Sequence, residues 1–398
     1  MSHVTAQGRE IAARVEKFVR EVIVPFERDP RWGAHGPSLA LVEEMREQAR
    51  QARVMTPHVL AGGQHLSHRD TALVLRAAGL SPLGPVAVNV AAPDEGNMLL
   101  LGKIASAEQR AQFLLPLLEG RARSAFLMTE PAEDNGAGSD PSMLLTTGER
   151  EGDYWVINGR KCFSTGLQGA SVAIVMAKTP QGATMFVVNL PNPAIRIEQV
   201  PHTIDSSMPG GHPTSRIENL RVHTSSVLGE VGAGFKYAQV RLSPARLTHC
   251  MRWFGACTRA QEIASEYAVR RRAFGQALID HEGVGFMLAE NRIEMQQCEL
   301  MIDWCAGILD SGDLATSESS MAKVAISEAL FRIADRCVQI MGGTGVTRNT
   351  VVEQVFREVR AFRIYDGPTE VHKWSLAKRI KRETLARLNR LAEAHRES

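Results

Sequence analysis

The sequence predicts an α+β protein in three parts: N-terminal helices over 1–123, a central β-domain over 124–232 and a C-terminal four-helix bundle over 233–398. Apolar residues recur at helical spacing through the first third. Short apolar runs bounded by turn residues fill the middle. The helical period then returns after Gly234. A chain of 398 residues with 44% hydrophobic content can bury a large core and is long for a single domain.

In the first part Ile11, Val15, Phe18, Val19 and Val22 fall on one face of a helix. Ser106 with Gln109 forms a capping-box signature ahead of Phe113-Leu114-Leu115, and Gly120 is a stop signal. In the middle part residues 154–157, the pair Asn158-Gly159 and residues 161–164 predict a β-hairpin, with further strands over 172–176 and 184–188. Helices follow from 235 to beyond 270, over 280–309 and over 318–340, the last ended by Gly342-Gly343.

A net charge of +2 argues against a general nucleic-acid binder, which carries a basic stripe. The stretch 373–396 is locally basic, but its Leu, Ile and Ala residues keep helical spacing, which predicts a solvated amphipathic helix. Cys162, Cys250, Cys257, Cys298, Cys305 and Cys337 contain no C-x-x-C pair. This speaks against structural zinc and a secreted disulfide framework, and for buried free thiols in a reducing compartment. The start Met-Ser-His-Val-Thr lacks a signal pattern, and no apolar run approaches the ~20 residues that span a bilayer. The expectation is a soluble cytoplasmic protein with no membrane partner.

Five segments carry the chemistry. They are Met128-Thr129-Glu130-Pro131 running on to Gly136-Ala137-Gly138-Ser139-Asp140, Asn158-Gly159-Arg160-Lys161, Arg271-Arg272-Ala273-Phe274-Gly275, Gln339-Ile340-Met341-Gly342-Gly343 and Tyr365-Asp366-Gly367-Pro368. Each alone is weak, since a Gly-rich loop or an Asp-Gly turn occurs in many proteins. In this order and spacing they resemble the acyl-CoA dehydrogenase family of flavoproteins over nearly the whole chain. The resemblance implies an FAD enzyme that desaturates an acyl-CoA thioester, passes electrons to an electron-transfer flavoprotein and assembles as a homodimer or homotetramer.

Such a reaction needs a base for the α-proton, a hydride acceptor and polarisation of the thioester carbonyl. The flavin accepts the hydride, so the protein positions and polarises. The resemblance makes Asp366 the base, with Arg246 beside it and Tyr365 next to the substrate. Most of the family has Glu here. Asp is shorter by roughly 1.5 Å of reach, so backbone or substrate pose must compensate. The pattern Asp-Gly-Pro-x-Glu-Val-His, with the run from Arg241 to Arg252, resembles one branch whose animal members are fused to a phosphotransferase-like domain and also carry Asp.

For the cofactor, Met128, Thr129 and Ser139 match the loop lining the flavin and the thioester end of the substrate. An insertion, Ala132-Glu133-Asp134-Asn135, leaves the placement of the Ser139 hydroxyl open. Phe163, Ser164 and Thr165 match the segment whose aromatic ring packs on the flavin and whose hydroxyl approaches N5; Phe stands where Trp is usual and lacks its donor. Arg271 and Phe274 match a motif that reaches the FAD diphosphate of a neighbouring subunit, for which an arginine fork is suited. Gln339, Gly342 and Gly343 would approach the same cofactor by close backbone contact. Pro368 and Glu370 replace Thr and Gln after the base, and Glu282 stands where Gln is common, so contacts to the diphosphate could differ. No metal is expected. Three alternatives stay open: a flavin oxidase of the same fold resembling nitroalkane oxidase, a DNA-binding relative with a vestigial site, and a scaffold with a dead flavin site.

Overall fold

The structure, a computed structural model, describes residues 4–60 and 63–397. Helices α1 (Ala6–Phe18), α2 (Leu39–Gln51), α3 (His68–Ala78) and α4 (Asp94–Ile104) come first. Strands β1 (Ser124–Leu127), β2 (Thr147–Glu151), β3 (Tyr154–Lys161), β4 (Val172–Thr179), β5 (Gly182–Asn189), β6 (Ile195–Gln199) and β7 (Thr214–His223) form one sheet. Then follow α5 (Gly234–Arg270), α6 (Glu282–Asp310), α7 (Thr316–Met341), α8 (Val352–Phe362) and α9 (Thr369–Glu397). This helix–sheet–helix order is the α+β class that the sequence predicts.

The sheet runs β1-β4-β2-β3-β7-β6, with β5 on the other edge of β4. Side chains alternate across a strand, and β4 shows the consequence. Val172, Ile174 and Met176 pack toward Leu100, Leu101 and Phe113 of the N-terminal part and Tyr237 of α5. Ala173, Val175 and Ala177 face the opposite side with Trp155, Ile157 and Phe186. Both faces are therefore covered, which explains the unbroken apolar run of this strand.

Asn158-Gly159 is not a hairpin turn. β3 runs straight through it, with Asn158 opposite Thr147. The turn lies earlier, at Gly152, whose φ is +61°. Against β7 the ladder shifts register between Ile157 and Gly159, and Asn219 takes a φ of +50° with its N–H donating to Asn158 Oδ1. The Asn-Gly pair thus serves a bulge. A Cβ at Gly159 would stand 2.4 Å from the Thr146 hydroxyl, so glycine here answers a close approach. β3 also stops at Lys161, so residues 162–164 leave the ladder.

In the helical part, α3 and α5 cross very closely. A Cβ at Gly79 would meet Arg252 O at 2.0 Å, and one at Gly255 would meet Arg76 O at 2.1 Å. The glycines bring the buried middle of α5 against the N-terminal helices. That middle is polar: Arg241, Ser243, Arg246, Thr248, His249 and Arg252 are all buried. All six cysteines are buried and free. Ser106 and Gln109 form the capping box, and α7 ends at Gly342 with a φ of +55°. On α9 the apolar residues Trp374, Ile380, Leu385, Leu388 and Leu391 are exposed.

Candidate active site

Asp366 lies in the turn between α8 and α9, with φ +53° for itself and +97° for Gly367. Two carbonyls of this turn take side-chain donors. Arg246 Nε donates to Asp366 O at 3.2 Å, His372 Nε2 lies 3.1 Å from the same oxygen, and Lys323 Nζ donates to Gly367 O at 2.6 Å. Such bonds over-determine a left-handed conformation that a non-glycine residue otherwise avoids. The carboxylate itself faces His249, whose Nε2 lies 3.3 Å from Oδ2. Arg246 therefore holds the backbone of the turn, and His249 holds the acid.

Burial pushes the Asp366 carboxyl up, but the His249 hydrogen bond and then the charges of Arg241 and Arg246 outweigh it and hold the group below the ordinary carboxylate range. Burial, with Arg252 beside it, pushes His249 down despite the pull of Asp366. The pair is best described as an ionised carboxylate accepting from a neutral imidazole, with the positive field supplied by the guanidinium groups. Those stay charged even when buried. Burial also brings Lys323 down to about 8. Tyr365 packs on His249 with ring centroids 5.0 Å apart, and its hydroxyl accepts from Trp253 Nε1 at 2.5 Å.

Behind Asp366, α4 presents its acidic first turn. Glu95 accepts from Thr248 Oγ1 at 2.8 Å and lies 3.6 Å from Arg252, while Arg241 Nε donates to Asn97 Oδ1 at 2.8 Å and its guanidinium lies over the Phe126 ring. A buried charge survives only when paired in this way.

At the end of β1 the chain exposes Met128 and Thr129 in part. Lys161 Nζ donates to Met128 O at 3.1 Å and to Glu130 Oε1 at 2.9 Å, and Cys162 N donates to Thr129 O at 2.9 Å. The buried Glu130 carboxylate also accepts from the N–H groups of Ala137, Leu145 and Thr146. The insertion folds into one turn, Ala132–Asp134, closed by Asn135 at φ +55° and by Gly136 N donating to Pro131 O. Arg160 ties it to the sheet through Asp134 at 2.7 Å. The added residues are absorbed as a bulge on the surface, and Ser139 lies exposed.

Phe163 takes a φ of +50° and is 62% exposed, presenting its ring outward. Next to it the Ser164 hydroxyl is buried without a partner. Thr165 Oγ1 lies 2.9 Å from His212 Nδ1, and His212 Nε2 lies 3.0 Å from Asp205 Oδ2. Arg271 and Phe274 sit on a two-residue hairpin, Phe274 being 96% exposed. Gln339, Gly342 and Gly343 are exposed too, with open space around both glycines, and Glu370 is exposed while Pro368 is half-buried. An outward aromatic ring beside an unpartnered hydroxyl, and a free arginine fork with bare glycine backbone, fit an isoalloxazine and a diphosphate. Two clefts, of about 440 Å³ beside Trp32 and Arg259 and about 380 Å³ beside Arg160, are not lined by Asp366.

The fold and this arrangement suit a flavoprotein, and comparison with known proteins says which family. Residues 125–216 match the family model "Acyl-CoA dehydrogenase, middle domain", and residues 232–381 match "Acyl-CoA dehydrogenase, C-terminal domain". The Mycobacterium tuberculosis protein named "Probable acyl-CoA dehydrogenase FadE2" is 34% identical, over 94% of this chain and 95% of its own. "Acyl-CoA dehydrogenase family member 11" of Gallus gallus is 33% identical over 95% of this chain, which spans only 52% of that relative. A solved structure from Mycobacterium abscessus, assigned to the acyl-CoA dehydrogenases, superposes with a TM-score of 0.86 at 32% identity, covering 96% and 100% of the two chains. This chain belongs to the acyl-CoA dehydrogenase family, and FAD is its cofactor.

Sequence reasoning singled out Asp366 and Arg246 but missed His249, Arg241, Lys323 and His212 as parts of the site. A signal existed for the first two: charged residues recur from Arg241 to Arg252 among Leu, Ala, Cys and Met residues that mark a buried segment, where polar groups need partners. Lys323 and His212 carried none, because Lys323 reaches a backbone carbonyl and His212 reaches the Thr165 hydroxyl on another loop.

Proposed function

We propose that this chain catalyses α,β-dehydrogenation of an acyl-CoA to the trans-2-enoyl-CoA. Asp366 takes the α-proton, Arg246 and His249 hold the turn and its acid, and Tyr365 lies beside the acyl chain. The single observation that carries this is a partly accessible carboxylate at Asp366, 3.3 Å from His249 and held in place through its own backbone carbonyl. Bound FAD supplies the hydride acceptor. Met128, Thr129, Phe163, Ser164 and Thr165 would hold its ring, with Ser139 on the thioester side only if its loop closes. Arg271, Phe274, Gln339, Gly342 and Gly343 face outward, which supports a diphosphate shared between two copies of the chain in a homodimer or homotetramer; Pro368 and Glu370 would flank it. Electrons would leave to an electron-transfer flavoprotein. Six free buried thiols suit a reducing compartment such as the cytoplasm.

The test is anaerobic titration of the purified FAD protein with acyl-CoAs of graded length. Bleaching of the flavin by at least one, with the matching enoyl-CoA as product, is the expected result. Rapid oxygen consumption with a nitroalkane and no bleaching by any thioester would instead support the oxidase. A preparation that takes up no FAD would leave a scaffold.

A further inference from the structure

Next to Thr165 the fold builds a device that the dehydrogenation chemistry leaves unused. His212 follows two glycines of positive φ, Gly210 and Gly211, in a loop paired with the Phe163–Thr165 segment through Ser164 N donating to Pro213 O and Gly166 N donating to Gly211 O. Its two ring nitrogens are both engaged, one by Asp205 and one by Thr165. Asp205 sits at the start of a loop clamped onto α8, where Ser206 N and Ser207 Oγ donate to Glu358 at 2.8 and 2.7 Å. Burial pushes Asp205 up, but its bond with His212 brings it below the ordinary range, so it stands as an ionised acceptor.

The consequence is directional. An ionised Asp205 fixes the His212 proton on Nε2, which leaves Nδ1 as an acceptor. The Thr165 hydroxyl must then donate to Nδ1, and its oxygen offers only lone pairs to whatever lies in front of it. We propose that Asp205 and His212 are positioning residues that lock Thr165 as a hydrogen-bond acceptor toward flavin N5. This rests on the proposed function, in which Thr165 helps to hold the flavin ring, and on its hydroxyl lying at N5 as the resemblance implies. Oxidised N5 is itself an acceptor, whereas reduced N5 carries N–H, so the lock favours the reduced flavin.

Asp205→Asn tests this, because an amide donating to Nε2 forces the proton to Nδ1 and turns Thr165 into a donor; an Asp→Asn change at a His partner has this tautomeric effect elsewhere. Its loss of charge also acts on the flavin, so the readout is a double-mutant cycle with Thr165→Val. The midpoint potential of bound FAD is measured in the four proteins. The expected coupling is about tenfold toward the oxidised form, about 30 mV more negative for a two-electron couple. ¹⁵N chemical shifts of the His212 ring in the apoprotein should show the Nε2–H tautomer in the parent and Nδ1–H in Asp205→Asn. Should Asp205→Asn fail to fold, His212→Phe closes the same cycle, since it also removes the partner of Thr165. Additive potentials, or a parent ring protonated on Nδ1, overturn the relay while leaving the flavin reading intact. A parent protein that binds no FAD overturns both.

Discussion

The two ends of the site are built in opposite ways. At the base, the turn Tyr365–Pro368 is held from within one chain, by Arg246, His372 and Lys323 on its carbonyls and His249 on its carboxylate. At the end proposed for the diphosphate, Arg271, Phe274, Gln339 and Glu370 project into solvent. The first region is pre-organised and has little freedom to lose, which suits a proton transfer that depends on distance. The second gains its role only when a cofactor and a neighbour arrive. Substitutions should separate accordingly: those at the base change rate at constant FAD content, and those at the exposed end change FAD retention and assembly.

The largest effect is expected at Asp366. Asp366→Asn should slow flavin reduction by roughly 10²–10⁴ in a rapid-mixing experiment while FAD stays bound. Asp366→Glu should also lose activity, because the added methylene drives the carboxylate into His249, already at 3.3 Å; a faster Glu variant would mean that the turn merely tolerates the shorter acid. His249→Phe keeps the packing against Tyr365 but frees the carboxylate to move, and the reduction rate should fall about 10–100-fold with an unchanged absorbance spectrum.

Arg271→Ala should leave that rate within a few-fold when FAD is saturating. It should weaken FAD binding by about 10–100-fold, as expected for loss of a charge-assisted bond, and lower the concentration stability of the oligomer. Equal FAD content in a fully assembled variant would mean that this hairpin holds something else.

The smallest effect concerns stability. Burial, followed by the charge of Asp205, raises Glu358 to about 7. Its folded value lies above the unfolded one, so its contribution is complete below the ordinary Glu range and is lost as pH rises to about 7. Glu358→Gln should therefore flatten the fall in Tm between about pH 4.5 and 7, measured by thermal denaturation across that range.

What the sequence revealed follows the same division. Helices such as α1 and α7 were legible because a 3.6-residue period and a terminal glycine are local signals. Asp366 and the exposed motifs were legible as ordered short segments. The Asn158-Gly159 pair was misleading, because an Asn-Gly dipeptide suits a bulge as well as a turn and only pairing with β7 decides between them. Ser139 could not be placed, since the fate of a four-residue insertion depends on Arg160 and on closure of its own backbone. His249 beside Asp366 is a contact between α5 and the turn after α8, which no spacing in the chain encodes.

In the proposed reaction, Cα–H cleavage by Asp366 comes first. The most direct measurement compares anaerobic flavin bleaching by an acyl-CoA that reduces the wild-type protein, with hydrogen or deuterium at Cα. A several-fold slower bleaching with deuterium in the wild type, and near-total loss of bleaching in FAD-loaded Asp366→Asn, is the predicted result. Bleaching in Asp366→Asn at the wild-type rate and with the wild-type isotope effect would place the base elsewhere.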